Sequence, residues 1–60
     1  YAEKPVSFEY SGEIYNIDRI VSELKSENEY QFIVLTEQKS IFQLLYDETL
    51  EQWLIKQING

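Results

Sequence analysis

Apolar and polar residues alternate along residues 6–10, as expected for a strand that buries one face. A serine-glycine pair follows, in which Gly12 can adopt the positive φ of a tight hairpin turn. Residues 13–17 then alternate again, so the pattern predicts a β-hairpin. The inward face of its first strand would carry Val6, Phe8 and Tyr10.

The strongest strand pattern in the chain covers residues 30–36. One of its faces carries Tyr30, Phe32 and Val34. Apolar residues also occupy the other face, which is typical of a central strand. A polar turn at residues 37–40 leads into a second apolar segment at residues 41–46, and together these segments predict a second β-hairpin.

Residues 17–25 fit two different structures. The spacing of one helix face is met by Ile17, Ile20, Val21 and Leu24. A strand with a bulge near Asp18 and Arg19 would also return Ile20 to the inner face, as happens where small barrels turn corners. We favour the bent strand, extending to about Leu24, and keep the helix as the alternative.

Residues 50–58 are ambiguous in the same way. Helical spacing is met by Leu50, Trp53, Leu54 and Ile58. Asp47 or Thr49 would then cap the helix. The alternative is a turn at residues 47–51 followed by a strand at residues 52–58. Periodicity alone favours the helix, and if both ambiguous segments were helical, the chain would be an α+β protein with a hairpin-helix unit occurring twice.

The charge balance narrows the range of partners. The 60 residues fit a single small domain, and 11 acidic against 5 basic residues give a formal charge of −6. Proteins that bind nucleic acid or anionic membranes need clustered basic residues, and the five here form no run. Nucleic acid and membranes are therefore not expected partners. No apolar run approaches the roughly 20 residues that cross a bilayer, and no secretory leader is visible, so we expect a cytoplasmic domain.

The chemical inventory argues against catalysis. The chain has no cysteine and no histidine, which removes disulfides, thiolate nucleophiles, zinc knuckles and the commonest general base. Paired carboxylates occur at Glu27 and Glu29 and again near Asp47, but a domain of this size has little room for a catalytic cleft. We interpret most of them as a solvated surface and Asp47 as a turn cap. The expectation is a protein with no enzymatic activity, no cofactor and no bound metal.

The nine aromatic residues are the most informative side chains. Most are expected to fill the core, because a small β-domain needs large side chains there. An aromatic cage for a cationic peptide side chain would suit the negative charge of the chain. The residues expected to line a contact surface for a partner are Tyr15, Tyr30 and Trp53, with Glu27, Glu29 and Glu48 at the rim.

The order of motifs across nearly the whole chain resembles a family of uncharacterised short all-β domains. Some of these stand alone, and others form the C-terminal tail of translesion-polymerase-like mutagenesis proteins. The shared motifs are Gly12-x-x-Tyr15, Thr36-Glu37, Tyr46-Asp47 and Trp53, after an opening proline and alternating aromatics. The resemblance implies a β-meander and places Trp53 on a final strand. It implies no particular activity.

These observations together predict an all-β fold, a small five-stranded antiparallel meander that forms an SH3-like or half-open barrel. The expected function is that of a non-enzymatic protein-interaction or accessory domain with an acidic surface. Its partner would be another protein or a second copy of the chain, as a homodimer. The alternatives are single-stranded nucleic-acid binding through stacked aromatics, which the family context suggests, and DNA mimicry by the carboxylates.

Overall fold

The computed structural model describes residues 4–59, and the regular structure within that range is entirely β-strand. The five strands are β1 (Ser7–Tyr10), β2 (Glu13–Lys25), β3 (Glu29–Thr36), β4 (Ile41–Asp47) and β5 (Gln52–Asn59). They pair antiparallel in chain order and form one curled half-barrel. The predicted all-β meander is confirmed, and the hairpin-helix alternative is wrong.

Strand β2 is long because it belongs to both halves of the sheet. Its first part pairs with β1, and from Ile17 onward it pairs with β3. The pairing with β3 shifts register twice, between Ile17 and Arg19 and between Ile20 and Ser22. Each shift adds one residue to β2, which bends the strand and increases its twist. The predicted bent strand is therefore confirmed, with a second bulge that the pattern did not indicate.

The turn between β1 and β2 depends on backbone conformation. Ser11 and Gly12 have φ values of 53° and 82°, the positive values that a two-residue hairpin turn of type I′ requires. Phe8 and Tyr10 point inward from β1 as predicted, but Val6 does not. Val6 lies one residue before the start of β1 and is 79% exposed, so the inward and outward alternation of the strand does not extend to it.

The core is centred on β3 and β4, where Phe32, Val34, Phe42 and Leu44 are buried. The ring of Phe42 packs against three rings from the β1–β2 hairpin. Its centroid lies 4.9 Å from that of Phe8, 5.1 Å from that of Tyr10 and 4.8 Å from that of Tyr15. The first hairpin therefore folds over the inner face of β4, and the bend in β2 makes this possible.

Strand β5 replaces the helix that periodicity alone favoured. It pairs along its length with β4, and Leu50 lies in the turn before it. Ile58 falls at a register irregularity near the end of β4, so it does not follow the alternation of the strand. Asp47 caps the turn, since its Oδ1 accepts hydrogen bonds from the N–H groups of Thr49 and Leu50 at 2.9 and 3.1 Å.

Candidate functional site

Three aromatic side chains form a row on the inner face at one end of the sheet. Tyr30 on β3 lies opposite Tyr46 on β4, and Tyr46 lies opposite Trp53 on β5. The ring centroids of Tyr46 and Trp53 are 5.0 Å apart, and Trp53 also lies 6.1 Å from Phe32. We call Tyr30, Tyr46 and Trp53 the aromatic row. Its outer end is accessible, because Trp53 is 40% exposed.

A cation from the chain itself already contacts the other end of the aromatic row. Lys25 lies opposite Tyr30 in the register of β2 and β3, and its Nζ is 4.8 Å from the centre of the Tyr30 ring. This distance is typical of a cation–π interaction. A ligand from outside would therefore meet Trp53 rather than the ring face that Lys25 covers.

Acidic side chains cluster at the same end of the sheet as the aromatic row. The β2–β3 and β4–β5 turns meet there, and the Glu48 N–H donates a 2.8 Å hydrogen bond to the Asn28 carbonyl. Glu29 and Asp47 are directly paired across β3 and β4. We call Glu27, Glu29, Glu48 and Glu51 the acidic rim. Across residues 4–59, no group of three or more acidic residues is arranged to hold a metal ion.

A cavity of about 390 Å³ lies between the two edge strands of the half-barrel. Its lining residues are Pro5, Ser7, Phe8, Leu44, Trp53 and Ile55. We call it the seam cavity, because β1 and β5 are the two ends of the strand order and are not hydrogen-bonded to each other. Its volume lies within the range of ligand pockets, and most of its lining side chains are apolar. Trp53 belongs to both the seam cavity and the aromatic row.

The structure brings together most of the residues that the sequence singled out. Tyr30 and Trp53 lie in one row, and the three predicted rim residues, Glu27, Glu29 and Glu48, occur in or beside the turns at the same end. Tyr15 lies apart from them. Its ring stacks on that of Phe8 in the other half of the molecule, with 5.5 Å between the ring centroids, and packs against the core.

Two parts of the site were missed by the sequence reasoning. Tyr46 connects Tyr30 to Trp53, and counting back from the turn of the second hairpin would have placed it opposite Tyr30. The seam cavity had no comparable signal. The cavity forms because Pro5 and Phe8 approach β5. These two residues are distant from β5 in sequence, and only the curl of the sheet brings them close to it.

The surroundings of Tyr15 raise the pKa of its hydroxyl group. Partial burial raises the pKa of its hydroxyl above the usual value of 10.0. A hydrogen bond donated to Glu13 Oε1 at 3.1 Å and the negative charge of that carboxylate raise the pKa further. The neutral phenol is therefore favoured in the folded state, and Tyr15 is a poor general base at neutral pH.

The raised pKa of Tyr15 predicts that the domain loses stability as the pH rises above about 10. The folded state retains this proton longer than the unfolded state, so the contribution is complete below pH 10.0 and disappears through the higher folded-state pKa. Urea unfolding midpoints between pH 8 and 11 should fall less steeply for Tyr15→Phe than for the wild type. Glu13→Gln should give an intermediate slope. Equal slopes for all three proteins would contradict this assignment.

Comparison with known proteins identified no matching family model, and no curated protein or solved structure similar enough to count as a match. The resemblance to short all-β domains stays a prediction. Within residues 4–59, no helix is long and apolar enough to span a membrane.

Proposed function

We propose that this chain is a non-enzymatic protein-interaction domain that binds a basic segment of a partner protein. An apolar side chain of the partner enters the seam cavity against Trp53, and neighbouring lysine or arginine residues face the acidic rim. The observation that carries the proposal is the position of Trp53, which is partly exposed, lines an apolar cavity and lies at the acidic end of the sheet.

The apolar part of the proposed contact supplies most of the affinity. Binding energy at protein interfaces is concentrated in a few desolvated residues, and tryptophan is the most enriched among them. Trp53 is held in place by Tyr46 and Phe32, so little side-chain freedom is lost when a ligand packs on it. Leu44 and Ile55 complete an apolar wall for a branched or aromatic side chain.

The acidic part of the proposed contact supplies selectivity and a faster association rate. The chain carries a net charge of −6, and four acidic residues are concentrated in the rim. Exposed charges of this kind attract a basic partner over distances of about 10 Å at moderate salt and contribute less to the affinity itself. The contact between Lys25 and Tyr30 is an internal example of an ammonium group on this row.

The two nucleic-acid alternatives receive less support from the site. Bases that stack on the aromatic row would bring their phosphates close to the acidic rim, where like charges repel. Lys25 is a basic residue beside the row, but its ammonium group lies over the ring of Tyr30, where a stacked base would have to lie. A DNA mimic needs carboxylates arranged along an extended surface, whereas the rim is concentrated at one end of a small domain.

Trp53 provides the probe for a direct test, since it is the single tryptophan in the chain. The ligand is a short synthetic peptide with one central leucine flanked by lysines. We expect a saturable blue shift of the Trp53 emission, weaker binding at high salt, and little response when the leucine is replaced by glycine or the lysines by glutamates. Saturable binding of a short single-stranded oligonucleotide, without a response to the basic peptide, would contradict the proposal.

The role of the acidic rim is tested by two variants with the same change in net charge. Glu27→Gln/Glu48→Gln should slow peptide association and lower the affinity by about 5-fold at low salt, because two attractive charges are lost close to the site. Glu9→Gln/Glu37→Gln changes two acidic residues outside the rim and should have a smaller effect. Both differences should fade as salt is added. Equal effects of the two variants would show that only the total charge matters.

A further inference from the structure

Among residues 4–59, the half-barrel has three unpaired strand edges, and two of them are protected against pairing with another chain. Strand β1 has only 4 residues and follows Pro5, which cannot donate a backbone hydrogen bond. Beyond Ile17, the edge of β2 facing away from β3 is interrupted by two bulges and carries charged side chains. Short length, proline, bulges and charge are the usual devices that prevent edge-to-edge association.

Strand β5 lacks most of these devices. It has 8 residues, contains no proline and carries a single charged side chain, Lys56. Its single irregularity lies at the end, next to Ile58. Leu54 and Ile58 are 57% and 52% exposed. An edge strand that is long, regular and nearly uncharged is a template for a further strand.

The distribution of charge indicates that the further strand comes from a second copy. Two copies with a net charge of −6 repel each other unless they meet at a surface without acidic residues. None of the 11 acidic residues lies within Gln52–Asn59. The other long acid-free segments, residues 30–36 and 38–46, fall mainly on β3 and β4, which are interior strands.

We propose that two copies of this chain associate along β5, antiparallel and related by a two-fold axis, to form a continuous ten-stranded sheet. An axis at Ile55 keeps the inner faces of both copies on the same side. It also places each Lys56 across from Leu54 of the other copy, so the two lysines are not directly opposed. Leu54 and Lys56 lie on the outer face, whereas Trp53 and Ile55, which line the seam cavity, lie on the inner face, so variants at Leu54 and Lys56 test the dimer without changing the lining of the cavity.

The association is expected to be weak. A standard protein interface buries about 800 Å² per partner, and one strand edge on a molecule with a total surface of 4310 Å² contributes only part of that area. Sedimentation of the full chain should therefore show a reversible monomer–dimer equilibrium that shifts with concentration. A monomer at every concentration up to the solubility limit would overturn the proposal.

Charged substitutions on the outer face of β5 test the proposed contact between the two β5 strands and the position of its two-fold axis. Leu54→Lys places a lysine across from Lys56 at two symmetric positions and should raise the dimer Kd by about 10-fold or more. Leu24→Lys is the matched control, because Leu24 is 64% exposed but lies on β2. It should change the Kd by less than about twofold. Adding Lys56→Glu to Leu54→Lys should restore much of the affinity. An equal loss for Leu24→Lys, or no rescue by the double variant, would overturn the proposed geometry.

Distances between copies give a second readout that does not depend on a destabilising change. The chain has no cysteine, so a single introduced cysteine carries one spin label. With the axis at Ile55, the backbone positions of the two Gln57→Cys residues lie about 14 Å apart, given the rise along strands and the spacing between them. Labels at Gln38→Cys in the β3–β4 turn should be clearly farther apart. Dipolar broadening for Gln38→Cys without broadening for Gln57→Cys would place the interface elsewhere.

Discussion

Replacing Phe42 with alanine is expected to leave the domain largely unfolded at 25 °C. The side chain is 0% exposed, and its ring contacts Phe8, Tyr10 and Tyr15 at centroid distances of 4.8–5.1 Å. Removing a buried phenylalanine ring costs about 3–5 kcal/mol, because apolar burial is lost and a cavity is left behind. A core in a 60-residue domain rarely supplies more than about 3–5 kcal/mol of net stability. Urea denaturation followed by far-UV circular dichroism provides the measurement.

Two further variants distinguish the loss of packing from a general effect of substitution. Phe42→Leu retains most of the apolar volume and should leave a folded protein with a lower urea midpoint. Ile14→Ala removes an apolar side chain that is 61% exposed and should change the free energy of unfolding by less than about 0.5 kcal/mol. A wild-type midpoint for Phe42→Ala would contradict the packing of the first hairpin over β4.

Replacing Trp53 with alanine is expected to lower the affinity for the leucine-lysine peptide by about 30-fold or more. Truncating a central interface tryptophan commonly costs at least about 2 kcal/mol of binding free energy, and each 1.4 kcal/mol corresponds to about tenfold in affinity. Trp53 forms a wall of the seam cavity, so its removal takes away the surface on which the leucine would pack. Because the variant lacks tryptophan, binding is measured by anisotropy of a labelled peptide.

Controls on the same strand separate binding from folding. Leu54→Ala changes a side chain that is 57% exposed and directly follows Trp53, but on the opposite face of β5. It should alter peptide affinity by less than about twofold. Trp53→Phe keeps a ring in contact with Tyr46 and Phe32 and should retain part of the affinity. Wild-type peptide binding by a folded Trp53→Ala protein would remove the seam cavity from the proposed site.

The two hairpins and the central part of the site could be predicted because their partners are close in sequence. Gly12 indicates the first turn, and the polar residues 37–40 indicate the second. Once the second hairpin is recognised, the pairing of Tyr30 with Tyr46 depends only on counting residues from its turn. Alternation then places both rings on the inner face.

The two ambiguous segments show how irregular strands can imitate a helix. A bulge adds one residue to a period of two, so Ile17 and Ile20 reach the same face at a spacing of three, which is also a helical spacing. In the last segment, Leu50 lies in the turn and Ile58 lies at a register irregularity. Neither residue follows the two-residue alternation of β5, and their positions therefore fit a helical spacing by coincidence. In both segments, pairing with a neighbouring strand fixed the strand structure, and the local spacing of apolar residues did not.

The sequence by itself determined the strand pattern, the turns and the acidic character of the domain, because each depends on the order of neighbouring residues. Only the tertiary structure decided that Tyr15 joins the core around Phe42 and that Pro5, Phe8 and Trp53 line one cavity at an open seam. These contacts depend on how far the sheet curls. Two bulges in β2 and the packing of the first hairpin on β4 set that curl, and both join residues that are far apart in the chain.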